Sequence, residues 1–190
     1  MSWTRTIPPA SAEPPLQALY ERIRTHSSQQ RVSNAWQALA PDPAALEAVF
    51  ALHHALMDQP APLSRAQAEL IAVAVSATNG CGYCVAHHGP RLAAALGDET
   101  LARAVARDYR EADLAARDRV LLDFAVALTC EPSERTEEDV ERLREYGFGD
   151  DAIIRATALT GLHGLMSRVV NGLGVPLENG LEEWEFGSQK

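Results

Sequence analysis

Residues 70–90 carry no charged side chain, a run as long as a membrane span. It does not read as one, because Ser76, Thr78, Asn79, Gly80, Gly82, His87 and His88 interrupt it and Asn79-Gly80 is a strong helix breaker. The run reads instead as two successive helices buried inside protein, and such helices need other helical surface to cover them. Composition supplies it: 32 Ala and 22 Leu stand against 6% aromatic residues among 190. Strong helix formers in that excess favour an all-α fold over a sheet. A chain of this length is expected to form a single domain, burying roughly 70% of its unfolded surface.

Seventeen basic residues against 26 acidic give a net charge of -9. No basic field exists for nucleic acid or an anionic membrane, so neither is an expected partner. The opening MSWTRTIPPASAEPP lacks an apolar signal segment, which places the expected chain in the cytoplasm, where thiols stay reduced. Its three cysteines then read as chemistry or core, not as staples.

Residues 1–15, with Pro8, Pro9, Pro14 and Pro15, are expected to form an irregular arm, 16–177 a helical domain and 178–190 a tail. The tail holds Trp184 and Phe186 amid acids, and either folds back or reaches a neighbouring subunit. Helices are expected at 16–25, as a short turn from Ser33, and from Asp42-Pro43 to Met57, where Pro60 and Pro62 end it. Ser64 and Gln67 form a capping box opening a helix to Thr78. The next runs from near Cys81 to Gly97, bent or broken at Pro90. Others follow at 99–107, 114–129 and 137–146. The last, at 151–171, is apolar almost all round, so it is expected in the core, with Gly161 and Gly164 allowing close approach.

The sharpest feature is Asn79-Gly80-Cys81-Gly82-Tyr83-Cys84-Val85-Ala86-His87-His88, with Glu69 twelve residues before Cys81. On a helix Cys81 and Cys84 are at i and i+3, and Cys84 and His88 at i and i+4, so the three can share a face. At a helix start, exposed amides and the positive dipole end favour thiolate over thiol. Attack on a peroxide oxygen would give a sulfenic acid and an alkoxide that needs a proton, which an imidazole can deliver. A second cysteine then closes a disulfide that an external dithiol reopens. Glu69 would orient the histidine or relay protons.

These residues resemble the signature of the AhpD-like alkylhydroperoxidases of the carboxymuconolactone decarboxylase superfamily. Residues 63–89 are similar to its peroxidase-related branch in particular, and a looser likeness runs from about Val32 to Leu177. The resemblance implies an all-α, AhpD-like helical bundle, assembled as a homo-oligomeric trimer or as a hexamer of dimers. It implies Cys84 as the peroxidatic cysteine, Cys81 as the resolving one and Glu69 with His88 as the proton relay, with no bound cofactor or metal. It further implies a hydroperoxide substrate and an external dithiol reductant, which in the family is a lipoylated adaptor protein. The chain departs from the pattern at Tyr83, where the best-studied peroxidases of the family carry a further histidine.

Three rival readings stay open. Cys81, Cys84 and His88, completed by His87 or by a residue from elsewhere, would make four zinc ligands, although no second Cys/His pair at finger spacing exists. A thiol-disulfide sensor would use the same pair without turnover. Other branches of the superfamily are decarboxylases or isomerases of lactone acids and lack the cysteine pair. His53, His54 and His163 read as packing or subunit contacts, and Cys130 as a core thiol.

Overall fold

The computed structural model describes residues 1–27, 30–58 and 62–187. They hold nine α-helices and no strand. Two units emerge, Met1–Gln59 with Arg168–Leu181, and Pro60–Ser167 with Glu182–Lys190.

In the first unit, α1 (Pro14–His26) and α2 (Asn34–Leu39) each pack on α3 (Pro43–Met57). α1 starts two residues before its expected position, because Pro14 and Pro15 lie in the first helical turn, where a missing N–H costs nothing. Leu16, Leu19, Tyr20 and Ile23 bury one stripe of α1 with Leu46 and Phe50 of α3. The arm before it is tied down: the Ile7 N–H donates to the Gln37 carbonyl (3.2 Å) and the Tyr20 hydroxyl to the Ile7 carbonyl (2.5 Å). Asp42 caps α3 by accepting from the Ala45 N–H. Pro60, expected to end that helix, lies outside the described residues.

The second unit is built around α4 (Arg65–Thr78), which packs on α5 (Gly82–Leu96), α6 (Glu99–Asp108) and α7 (Ala116–Cys130). Ser64 and Gln67 form the expected capping box. Every α4 residue from Ala68 to Thr78 is buried, Glu69 included, and apart from that carboxylate the stretch is uncharged, as a helix surrounded by helices requires. Each large side chain there, such as Leu70 and Ile71, adds about 2 kcal/mol of apolar burial. Gly80, in the left-handed region at φ 66°, turns the chain directly into α5. α8 (Glu137–Glu145) packs on α7, and α9 (Asp150–Gly172) follows.

Three expectations need correction. Of the bend or break expected at Pro90, the break does not occur, and α5 continues through it as one helix. Proline sacrifices the bond to the Ala86 carbonyl at a cost near 3 kcal/mol, but Val85, Ala86, His88, Gly89 and Leu92 bury the same turns, and tertiary burial outweighs local propensity. α9 is not buried all round: Ile154 and Leu165 are exposed, and a Cβ on Gly161 would meet nothing within 4 Å. Cys130 is an exposed free thiol at the end of α7, not a core residue.

The tail folds back within the second unit. Trp184 is buried against Gly89 of α5, the Arg103 guanidinium stacks 4.4 Å over its ring, and Arg103 also pairs with Glu182 at 2.9 Å. A Cβ on Gly89 would lie less than 3.0 Å from three indole atoms. Gly89→Ala should therefore destabilise the protein by about 1–3 kcal/mol through overpacking, although alanine gains nearly 1 kcal/mol in helix propensity. Urea unfolding measures it, and a variant more stable than wild type would contradict the seating of Trp184.

Candidate active site

Cys81 is the N-cap of α5 and its Sγ accepts from the Cys84 N–H at 3.3 Å. The two sulfurs are joined in a disulfide, with 5.3 Å between the Cα atoms, an ordinary span for such a bond. Cys81 is wholly buried and Cys84 is 5% exposed, so Cys84 is the more accessible residue of the two. In the reduced state the amide that now faces Cys81 Sγ would favour its thiolate.

One turn along α5, the buried His88 places Nδ1 2.7 Å from Glu69 Oε2. Glu69 comes from α4 and has no exposed surface, and its Oε1 pairs at 2.6 Å with Arg65, one turn earlier on the same helix. The structure thus gives Glu69 the buried, partnered state that the charge gap around it suggests. A buried carboxylate survives only when paired, and Arg65 reaches it from the half-exposed end of α4. A carboxylate accepts hydrogen bonds only. His88 therefore carries its hydrogen on Nδ1, leaving Nε2 as the basic atom.

Four residues singled out from the sequence are accordingly placed: Glu69 and His88 in direct contact, Cys81 and Cys84 bonded to each other. Tyr83 and His87 lie on a half-buried face, their rings 4.5 Å apart. Two participants escaped the sequence reading. Arg65 had a signal, the i,i+4 spacing to Glu69. His163 had none, because it arrives from α9, seventy-five residues after His88, yet its ring lies edge-on to His88 at 4.8 Å and 83°. Among the described residues, no group of three or more His, Cys, Asp and Glu is arranged to hold a metal ion, and no helix is long and apolar enough to cross a membrane.

A disulfide-forming cysteine pair at a helix start, followed one turn later by a histidine held by a buried carboxylate, on an all-α scaffold, defines the class of this site. The comparisons narrow the class. The carboxymuconolactone decarboxylase family profile matches residues 43–108, a stretch that includes Glu69, both cysteines and His88. The structure is similar to an AhpD-like, peroxidase-related protein from Ralstonia eutropha JMP134, with 32% identity, TM-score 0.85 and 94% of this chain aligned to 93% of that one. A peroxidase-related protein from Silicibacter sp. TM1040 matches at 31% identity and TM-score 0.86 over 97% and 96% of the two chains. The debrominase Bmp8 shares the fold at 17% identity and TM-score 0.76, over 94% and 95%. No curated protein matches. The chain belongs to the carboxymuconolactone decarboxylase family, among its AhpD-like, peroxidase-related members.

Burial strips the charge from both imidazoles. Desolvation pushes the His88 pKa well below the ordinary histidine value, helped by Arg91, His87 and Arg65. Desolvation lowers His163 to about 3, with His88 and Arg91 adding and Glu69 opposing. Both folded values lie below the unfolded one, near 6.5. The stability each contributes is therefore whole above that pH. Below it, about 1.4 kcal/mol per pH unit is lost for each group, down to the folded pKa. Replacing His163 by Phe should make the stability lost between pH 6.5 and 4.5 smaller by about 2–3 kcal/mol. Urea unfolding at both pH values tests this, and an unchanged pH slope would refute it.

Proposed function

We propose that this protein reduces organic hydroperoxides through Cys84 and Cys81, using an external dithiol as the electron source. One observation carries the reading: the more accessible cysteine of a disulfide-forming pair lies one helical turn from a histidine whose Nδ1 is held by a buried carboxylate. Membership of a peroxidase-related family supports it.

The chemistry balances. As the Cys84 sulfur attacks the terminal peroxide oxygen, its proton passes to His88 Nε2. The O–O bond breaks, sulfur is oxidised to sulfenic acid, and the imidazolium returns the proton to the departing alkoxide, giving the alcohol. Glu69 stabilises the transient imidazolium through Nδ1–H, and Arg65 balances the carboxylate at rest. The Cys81 thiolate, favoured by the Cys84 amide, then displaces hydroxide from sulfenic sulfur. Water leaves and the observed disulfide forms. A dithiol, by the resemblance a lipoyl-type one, attacks the disulfide at Cys84 and restores two thiols while closing its own disulfide.

With cumene hydroperoxide as substrate and dihydrolipoamide in excess, wild type should turn over and Cys84→Ser should fall to the background of the dithiol alone. Cys81→Ser, mixed with the hydroperoxide in the absence of dithiol, should stop after one equivalent of alcohol and leave a sulfenic acid at Cys84 that dimedone traps. Sustained turnover by Cys84→Ser would sink the assignment.

A further inference from the structure

We propose that Arg91 is the substrate-binding residue of this site, its guanidinium receiving the carboxylate of an organic hydroperoxide acid while the peroxide end meets Cys84. The inference rests on the reading of Cys84 as the reacting thiol, and names the substrate class of that site.

α5 runs as one helix from Gly82 to Leu96, so residues seven apart lie within about 20° of each other around its axis. Cys84, His88 and Arg91, at i, i+4 and i+7, therefore form one stripe. Along it Cys84 and His88 are buried, Arg91 is half-buried and Ala95 is exposed. Arg91 thus stands where the stripe comes out to solvent. Its Cα lies about 10 Å along the axis from that of Cys84, and helical side chains lean back toward the N-terminus, here toward the cysteine. That two-turn separation suits an acid whose carboxylate and peroxide stand on opposite sides of a benzene ring.

The chain has 26 acidic residues against 17 basic, and arginines such as Arg103 and Arg144 each pair with two acids. Arg65, at the same site, is engaged by Glu69. No hydrogen bond or ion pair joins Arg91 to a carboxylate among the described residues. Its charge still reaches the buried histidines: after desolvation it is the strongest influence keeping His88 neutral, and it acts on His163 in the same sense. With both imidazoles uncharged, Arg65 and Arg91 leave one positive charge over beyond Glu69, in a protein of net charge -9. A half-buried charge of that sign draws anions to the mouth of the stripe, and a guanidinium fork matches a carboxylate with two parallel hydrogen bonds.

The test separates binding from turnover. 4-Isopropylbenzoate and its neutral counterpart 4-isopropylbenzamide carry no peroxide. Each is titrated as a protectant of Cys84 in the fully reduced protein, with iodoacetamide alkylation read at Cys84 by tandem mass spectrometry. The benzoate should protect at about tenfold lower concentration than the amide. Arg91→Lys should keep part of that preference and Arg91→Gln should abolish it, with circular dichroism and thermal midpoints establishing that each variant is folded. With neutral dihydrolipoamide as reductant, the ratio of kcat/KM for 4-carboxycumene hydroperoxide over cumene hydroperoxide should fall about tenfold in Arg91→Gln. In wild type that ratio should shrink as salt is raised. Equal protection by the two compounds in wild type, or none by either, would overturn the proposal, and so would a preference that survives Arg91→Gln. Protection as expected without turnover of either hydroperoxide would count against the proposed activity alone.

Discussion

The carboxylate of Glu69, wholly buried in the most enclosed helix of its unit, is the constraint on which the site depends. Its burial is expensive unless both oxygens are engaged, and the fold engages both: Arg65 holds Oε1 from one turn back and His88 holds Oε2 from the next helix. The second of these bonds fixes the tautomer of His88 and turns its basic nitrogen away from α4. The redox chemistry proposed for Cys84 needs that nitrogen one turn away. Removing Arg65 would take away the carboxylate's counter-charge, and removing His88 would leave one of its buried oxygens without its donor, so stability and site geometry are enforced by the same contacts.

The surrounding architecture serves this arrangement. α4 can be buried on all sides because its residues beyond Glu69 are uncharged. Gly80 reverses the chain so closely that α5 begins beside the end of α4, with Cys81 as its first cap. The tail closes the other side, Trp184 lying on Gly89 and Phe186 near Gly82, whose added Cβ would sit 3.1 Å from the Phe186 ring. Small residues at these two positions of α5 thus let aromatic rings approach the helix that carries both the dithiol and the histidine.

Local signals were legible in the sequence, and long-range ones were not. The Ser64–Gln67 capping box, the Asn79-Gly80 stop and the Gly97 C-cap at φ 68° each depend on a few adjacent residues. The offsets of Glu69, Cys81, Cys84 and His88 were readable because all four lie on one helical hairpin. Pro90 misled because its local cost is real while the packing that overrides it is tertiary. α9 misled because apolar composition alone does not tell a buried face from an exposed one, and Ile154 and Leu165 face outward. Cys130 stands at a helix end, where burial is decided by the next loop. His163 was passed over as packing, since nothing in its own neighbourhood announces a partner seventy-five positions away.

The most direct test of the account mixes fully reduced protein with one equivalent of cumene hydroperoxide. Cumyl alcohol is then followed by chromatography, and the Cys81–Cys84 pair by mass spectrometry. The account expects one alcohol for each intramolecular disulfide, with the rate falling about a hundredfold in Glu69→Gln, because the relay loses its anchoring charge. Disulfide formation without matching alcohol, or an unchanged rate in Glu69→Gln, would contradict it.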